Sequence, residues 1–88
     1  MSEQRHNVRT PLKVRLRIEH PVHGEMLVTT RDISDTGVYI LLDQAQDLLS
    51  IGEQVSGQVQ GLPMEAPILQ LEVVRVESLG VGLRFLKD

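Results

Sequence analysis

Two groups of side chains in this sequence have the types and spacing to bind a small anion. Arg5 and Arg9 lie four residues apart in a polar N-terminal segment, and Asp32, Ser34 and Gly37 follow as Asp-x-Ser-x-x-Gly. A guanidinium group donates paired hydrogen bonds to a phosphate or to a guanine edge, and its flat face stacks on a base. A carboxylate accepts hydrogen bonds, a hydroxyl donates and accepts them, and a glycine allows positive φ or close backbone approach. Residues of these types could together bind a small anionic ligand.

Each group also has an ordinary structural interpretation. Asp-x-Ser-x-x-Gly between strands is common turn chemistry, in which the Asp and Ser side chains bond to nearby backbone N–H groups and the glycine is left-handed. Two arginines in a terminal segment are often simply solvated. Taken singly, neither group decides between binding and structure.

The charge distribution narrows the class of partner. The net charge is −3, yet the first 18 residues carry five basic side chains against one acidic one. The remaining residues carry four basic and eleven acidic side chains. Long nucleic acid needs a broad positive face, so this asymmetry argues against it and favours a small anion bound at one place.

Length and composition predict a single cytoplasmic domain. A chain of 88 residues has room for one modest core. It has no cysteine, as is typical of a reducing compartment. The longest apolar run, residues 38–42 with Tyr39 included, falls far short of the roughly 20 residues that a membrane span needs. The first residues lack the basic and apolar regions of a secretory signal, so we expect neither export nor membrane insertion.

The apolar periodicity predicts strands and no long helix. Leu12, Val14, Leu16 and Ile18 alternate with charged residues, which indicates a strand with one buried face. The same reasoning gives six strands, at about 12–19, 25–33, 38–42, 54–60, 68–77 and 81–85. Short strands at this spacing indicate an antiparallel barrel or sandwich.

The fifth predicted strand changes its buried face partway along. Leu69, Leu71 and Val73 share one phase of the alternation, whereas Val74 and Val76 share the other. A slip of one residue turns every later side chain to the opposite face of the sheet. We therefore predict a bulge or a strong twist at Val73 and Val74.

Two finer expectations concern the middle of the chain. Leu48, Leu49 and Ile51 are predicted to form a short helical turn that plugs an opening of the barrel. In the fourth strand, Val55 and Val59 are predicted to face inward and the glutamines outward.

Within this frame the two polar groups resemble the signature of the PilZ domain, a bacterial receptor for cyclic di-GMP. That signature is RxxxR followed by D/N-x-S-x-x-G, and the order, separation and flanking strands here are typical of the family. The final segment 81–85 resembles its closing hairpin, with a Gly-x-x-Phe ending. The resemblance implies an all-β, six-stranded antiparallel β-barrel of the split-barrel type over residues 12–88. Residues 1–11 would form a flexible, ligand-binding N-terminal arm.

The resemblance also implies roles for the two motifs. Arg5 and Arg9 would grip the phosphates of cyclic di-GMP and stack on its guanines. Asp32, Ser34 and Gly37 would line the outer surface of the barrel beneath the ligand. The carboxylate of Asp32 would accept hydrogen bonds from the guanine N1–H and amino group, an edge that adenine lacks.

Three further expectations follow from the resemblance. Arg75 is the nearest candidate for an additional stacking side chain from the fifth strand. Gln4 stands where some members carry another arginine, which leaves open whether one ligand or an intercalated pair binds. The C-terminal helix common in the family does not follow the last strand, so Leu79, Leu83 or Leu86 would be exposed for a partner or for a homodimer.

The function implied is a receptor that binds cyclic di-GMP, orders its arm and signals to an unidentified effector protein in motility, pilus, exopolysaccharide or biofilm control. The alternative is a PilZ-like adaptor that acts without the nucleotide. An enzyme is not expected, because Ser34 lacks a nucleophile-elbow context and His6, His20 and His23 are not placed to activate it. His20 and His23 flank a turn without further metal ligands nearby, so a solvated hairpin is expected, with neither metal nor cofactor.

Overall fold

The computed structural model describes residues 8–86, and these residues are mostly β-structure. The strands are β1 (Thr10–Pro11), β2 (Arg15–His20), β3 (Gly24–Ile33), β4 (Gly37–Leu41), β5 (Gln54–Val59), β6 (Leu69–Val76) and β7 (Gly80–Phe85). One short helix, α1 (Ala45–Leu48), connects β4 to β5. Within residues 8–86 no helix has the length and apolarity to cross a bilayer.

Strands β2 to β7 close into an antiparallel barrel, which confirms the predicted fold class. The hydrogen-bonded order is β3-β2-β5-β6-β7-β4, and β4 pairs back with β3. Closure is possible because β3 has 10 residues and serves two neighbours: its first half pairs with β2 and its second half with β4. The short β1 adds to the end of β3, with Thr10 opposite Ile33 and Pro11 opposite Asp32.

The alternation in β2 buries Leu16 and Ile18 as predicted, but the strand begins later than predicted. Leu12 is exposed, and regular pairing with β3 starts only at Arg15. The cause is Thr30, whose hydroxyl donates to the Leu12 carbonyl and accepts the N–H of Val14 at 3.0 Å. The Thr30 side chain takes the place of a backbone partner here, so the regular ladder is interrupted between β1 and β2.

The barrel interior is filled by branched aliphatic side chains. Those almost completely removed from solvent are Leu16, Ile18, Ile40, Leu71, Val73 and Val81. Val55 is buried and Val59 is partly buried against the core, as predicted. Gln58 lies opposite Arg17 and keeps the outward phase predicted for the glutamines, yet it is covered there and buried. Its amide oxygen accepts from Arg17 Nη2 at 2.6 Å and its amide nitrogen donates to the Ala66 carbonyl at 2.7 Å, so burial leaves it satisfied.

Two strands carry a register shift, and each shift lies beside the β4–β7 pair. In β6 the shift falls between Val73 and Arg75, which confirms the bulge predicted there. In β3 it falls between Thr30 and Asp32, with Arg31 as the extra residue. A bulge turns consecutive side chains toward the same face. Arg31 and Asp32 thus both reach the outer surface.

The helical turn plugs the barrel with different residues from those predicted. Ala45 and Leu49 are buried and Leu48 is partly buried against the core. Ile51 is exposed, so its predicted place in the plug is wrong. It follows Leu49 by two residues at the end of the helical turn, where the chain has become extended.

The expectation of an exposed apolar surface near the C-terminal end is correct for one of its three residues. Leu79 is exposed in the turn before β7. Leu83 belongs to the core, because it alternates with Gly82 and points into the barrel beside Val38 of β4. Leu86 is half-buried.

Candidate functional site

Three of the predicted ligand residues meet on the outer face of the barrel. Arg9 Nε donates to Asp32 Oδ1, and Arg9 Nη1 lies 3.4 Å from Ser34 Oγ. Arg9 and Asp32 are 23 residues apart in sequence. The pairing of β1 with the end of β3 brings them together, because it places Thr10 beside Ile33. The two motifs are therefore in direct contact.

Arg5, the other arginine of the first motif, lies outside the described residues. Its predicted role in gripping the ligand stays a prediction, as do the roles of Arg9, Asp32, Ser34 and Gly37 toward a nucleotide.

Ser34 serves the local turn and Arg9 at the same time. Its backbone N–H donates to the Gly37 carbonyl at 2.9 Å, and its Oγ accepts the N–H of Thr36 at 3.2 Å. The same oxygen lies within reach of Arg9. The turn interpretation and the binding interpretation of Asp-x-Ser-x-x-Gly are thus compatible in one geometry.

A glycine is required at position 37 because β4 and β7 approach each other closely there, not because its backbone is left-handed. A β-carbon at this position would lie 2.1 Å from the carbonyl oxygen of Leu83 on β7. The described glycines with positive φ are Gly24, Gly52 and Gly61, so Gly37 is not the left-handed glycine of the turn interpretation, whereas the expected close approach is present. Gly37 lines the site and lets β4 and β7 pack together there.

Asp32 is nearly buried and holds two arginines. Arg31 Nε donates to Asp32 Oδ2 at 2.6 Å while Arg9 occupies Oδ1. Burial alone would raise the pKa of Asp32, but the hydrogen bonds and positive charges of Arg31 and Arg9 outweigh it and hold that pKa below its ordinary value. The carboxylate is therefore fully ionised near neutral pH and acts only as an acceptor.

Arg31 and Tyr39 form a stacked pair that the sequence did not reveal. The guanidinium carbon of Arg31 lies 3.9 Å from the centroid of the Tyr39 ring. Tyr39 Oη donates to Glu77 Oε1, and burial together with this carboxylate raises the pKa of Tyr39. The bulge that creates this geometry leaves no mark on the apolar pattern, because Arg31 and Asp32 are both polar.

A cavity of about 240 Å³ lies on the outer face of the barrel, between these groups and the side chains of Arg75 on β6 and Arg84 on β7. Its lining includes Arg9, Arg31, Arg75 and Arg84, together with Thr36, Gly37, Tyr39, Val74 and Gly82. Arg75 Nε lies 3.1 Å from Glu77 Oε2, and Arg84 is paired with Glu72. Arg75, predicted as an additional stacking residue, thus lines the same cavity as Arg9. Arg84 was not predicted, because an exposed charged residue alternating along a strand is ordinary.

The cavity suits part of a nucleotide rather than a whole one. Typical small-molecule pockets measure roughly 300–1,000 Å³, so this one is below the range. The guanidinium groups of Arg9, Arg31 and Arg75 and the phenol ring of Tyr39 can hold a phosphate or a flat base in this small space, whereas Arg84 is engaged by Glu72. The remainder of a larger ligand would lie over the outer surface next to Arg9.

The histidines form a separate structural turn. His20 is buried, its Nε2 lies 3.1 Å from Glu53 Oε1, and its Nδ1 accepts the N–H groups of Val22 and His23. The expectation of a solvated hairpin is therefore wrong for His20, which orders the turn from inside. Within residues 8–86 no cluster of three or more His, Cys, Asp or Glu side chains is arranged to hold a metal ion. The hydroxyl of Ser34 contacts Arg9 and Thr36, not a histidine.

Comparisons with known proteins agree with the signature in the sequence and with the barrel. A PilZ domain family model matches residues 3–88. The solved structure of the Bacillus subtilis inhibitor of motility (MotI/DgrA) superposes with a TM-score of 0.68 at 19% identity, covering 98% of this chain and 44% of that one. This chain thus spans less than half the length of that protein, and at this identity the likeness shows the fold. No curated protein matches the chain. Since the family match runs over nearly every residue, the chain belongs to the PilZ domain family.

Proposed function

We propose that this chain is a receptor for cyclic di-GMP that passes the signal to a protein partner. Membership of the PilZ family supports a receptor or adaptor domain. The observation that carries the proposal is the contact of Arg9 with Asp32 and Ser34, which joins the two signature motifs beside a cavity lined by arginines. A receptor for an intracellular messenger would act in the cytoplasm.

The chemistry of the site fits this ligand. Cyclic di-GMP presents two phosphates and two guanines, so it needs cationic donors, flat faces and an acceptor for the guanine edge. A guanidinium carries five N–H donors, and the contacts of Arg9 with Asp32 and Ser34 use two of them. Arg9 can therefore bind a phosphate while it remains anchored to the barrel.

Asp32 supports selection of guanine over adenine. Its two oxygens offer about four lone-pair positions, of which Arg9 and Arg31 occupy two. The lowered pKa keeps the group an acceptor at neutral pH. It can thus receive the guanine N1–H and amino donors, which adenine does not present in that arrangement.

Ordering of the arm on binding is also part of the proposal, and the structure limits where it can occur. Thr10 and Pro11 are already paired with β3, and Arg9 is bonded to Asp32. The ordering therefore concerns mainly the residues before Val8, including Arg5, which lie outside the described residues. Amide hydrogen exchange with and without cyclic di-GMP tests this point: protection should increase before residue 8 and change little in the strands.

Isothermal titration calorimetry with cyclic di-GMP, and with GTP and cyclic GMP as controls, tests the ligand. Arg9→Ala should weaken binding by about 1.5–3 kcal/mol, which is roughly tenfold to hundredfold. Arg9→Lys should recover only part of the loss, because lysine keeps the charge but not the fork or the flat face. Binding by Arg9→Ala that equals the wild type would show that the assignment is wrong.

The proposed role of Asp32 has its own test. Asp32→Ala should weaken binding of cyclic di-GMP strongly and affect cyclic di-AMP little. If the wild-type chain binds both nucleotides equally, Asp32 does not read the base. A purely structural role predicts a lower melting temperature with unchanged discrimination.

One observation favours the second candidate, a PilZ-like adaptor that works without the nucleotide. A second concavity beside β3 and β4 exposes the apolar side chains of Leu27 and Leu41 next to Lys13 and Arg15, as a protein-binding surface would. The absence of calorimetric binding of cyclic di-GMP by the wild-type chain would favour this function. In either case the similar solved structure, an inhibitor of motility, makes motility the first process in which to look for the partner.

A further inference from the structure

We propose that Arg31, fixed in place on Tyr39, is a stacking platform for one guanine base of bound cyclic di-GMP, a subsite separate from the two signature motifs. This inference rests on the proposed function. The base would lie on the face of the Arg31 guanidinium that is turned away from Tyr39, giving a three-layer stack of phenol, guanidinium and purine.

The position of the guanidinium is defined by two contacts. Its carbon lies 3.9 Å from the centroid of the Tyr39 ring, and its Nε donates to Asp32 Oδ2 at 2.6 Å. Even so, the side chain is 54% exposed. One face is therefore covered by the ring, while the side chain still presents much of its surface to solvent at the cavity. A flat cation held in this way is suited to stack on a purine, since a guanidinium attracts the π-face of an aromatic ring.

The ring below Arg31 is itself fixed. Tyr39 is buried, and a β-carbon at Gly80 would lie only 2.4 Å from its Oη, so the ring rests directly on the backbone of β7. Gly82 is the residue paired with Tyr39 across the β4–β7 ladder. The hydroxyl is bonded to Glu77. A platform that is already ordered loses little conformational entropy when a ligand binds.

The other arginines of the cavity lack this arrangement. Arg75 and Arg84 are each paired with one carboxylate near the surface, and their side chains are 70% and 54% exposed. Exposed pairs of this kind hold a long side chain only weakly. Within residues 8–86, the structure records a guanidinium over an aromatic ring at Arg31 alone. The hydrogen bond to Asp32 also raises the pKa of Arg31, so the platform keeps its charge.

Calorimetry on three variants separates stacking from charge. Arg31→Ala should weaken cyclic di-GMP binding about tenfold, as expected for the loss of one base-stacking contact. Arg31→Lys should regain little, because it keeps the charge and loses the plane. Arg84→Ala is the matched control: it removes an equally exposed arginine from the same cavity without an aromatic partner, and binding should change by less than about threefold.

The outcomes distinguish this inference from the proposed function. Equal losses in Arg31→Ala and Arg84→Ala, or full recovery in Arg31→Lys, would show that only charge matters and would overturn the platform. Unchanged binding in Arg31→Ala together with a loss in Arg9→Ala would overturn the platform while the receptor function stands. A wild-type chain that does not bind cyclic di-GMP overturns both.

Nuclear magnetic resonance on the wild-type chain decides the matter even if Arg31→Ala does not fold. Tyr39 is the single tyrosine of a chain without tryptophan, so its ring signals are unambiguous. In the complex, the Arg31 Nε–H signal should persist and show nuclear Overhauser contacts to a guanine proton. Contacts from the guanine to the Tyr39 ring with loss of the Arg31 signal would mean that the base displaces Arg31, and the proposal would be wrong.

Discussion

Arginines pair with carboxylates on both sides of the arginine-lined cavity, but the carboxylates on the two sides differ in how deeply they are buried. On the β3–β4 side, the nearly buried carboxylate of Asp32 holds both Arg9 and Arg31. On the β6–β7 side, Arg75 and Arg84 each have their own, more exposed carboxylate, at 47% for Glu77 and 26% for Glu72. An ion pair screened by water contributes little to stability, whereas a buried carboxylate needs its partners to offset the cost of its desolvation. The β3–β4 side is therefore the fixed side of the cavity and the β6–β7 side the adjustable one.

Each side of the cavity contains a β-bulge, one in β3 and one in β6, and the two bulges turn different side chains outward. The one in β3 turns Arg31 and Asp32 outward together, and they bond to each other. The one in β6 turns Val74 and Arg75 outward, and Val74 offers no charge to its neighbour. The same backbone device thus gives a rigid ion pair on one side and a loosely held arginine on the other.

The largest effect is expected where the two sides join. In Gly37→Ala the new β-carbon would meet the Leu83 carbonyl, which belongs to a backbone ladder and cannot move aside. The free energy of unfolding should fall by about 3 kcal/mol, at the upper end of overpacking costs. Gly82→Ala is the graded control, since its β-carbon would lie 3.2 Å from Arg75 Cβ, and urea denaturation should show a smaller loss. Equal stabilities for the two variants would contradict the close approach of β4 and β7.

Replacing the buried carboxylate should have the next largest effect. Asp32→Asn keeps the shape of the side chain but leaves Arg9 and Arg31 without a counter-charge, so unfolding should become easier by about 1.5–3 kcal/mol. Glu72→Gln makes the matching change on the β6–β7 side. Chemical denaturation of both variants measures the contrast, and equal losses would mean that the two sides are energetically alike.

The pH dependence of stability sharpens the same contrast. The pKa of Asp32 in the folded chain lies below its ordinary value of 3.8, so the unfolded chain takes up the proton first as the pH falls. The stabilisation by Asp32 is therefore complete above about pH 5 and is lost as the pH drops through the lowered folded value. Urea denaturation of the wild type and of Asp32→Asn across this range should show their stabilities converging in acid. A difference between them that does not change with pH would exclude the ion pair as its source.

Titration of the single tyrosine probes the link between the two sides. Burial and Glu77 raise the pKa of Tyr39 above 10.0 in the wild type. Glu77→Gln removes the carboxylate and should lower that pKa, although burial keeps it from returning fully to the ordinary value. The ultraviolet absorbance of tyrosinate follows the change directly, because Tyr39 is the single tyrosine of a chain without tryptophan. Glu72→Gln serves as the control and should leave the Tyr39 titration in place.

The smallest effect is expected from the exposed pair itself. Glu72→Gln and Arg84→Ala should each change the free energy of unfolding by less than about 0.5 kcal/mol, as is usual for a surface ion pair. Raising the salt concentration should remove even that difference. A loss comparable to that of Asp32→Asn would show that the pair is not screened by water.

Much of the fold was predictable because it depends on local patterns. Period-two alternation located six strands, and the phase change at Val73 and Val74 located the bulge in β6. The pattern missed two features: the Thr30 hydroxyl delays the start of β2, and contacts with Arg17 and Ala66 cover the outward-facing side chain of Gln58. Such contacts join residues far apart in sequence, which periodicity does not register.

Residue types and their spacing along the chain indicate which candidate chemistry this protein carries. The alternating strands indicate an antiparallel barrel, and the arginine pair with Asp-x-Ser-x-x-Gly resembles the PilZ signature, which makes Arg9, Asp32 and Ser34 candidate site residues. The arrangement of that chemistry follows from how the strands pair and pack. Closure of the barrel brought Arg31, Tyr39 and Arg75 to one cavity and Glu77 to the Tyr39 hydroxyl, and it made the nearly buried Asp32 the shared partner of two arginines. The reason is physical: residue types set which groups can interact, whereas stacking geometry and desolvation depend on contacts between strands that a linear pattern does not contain.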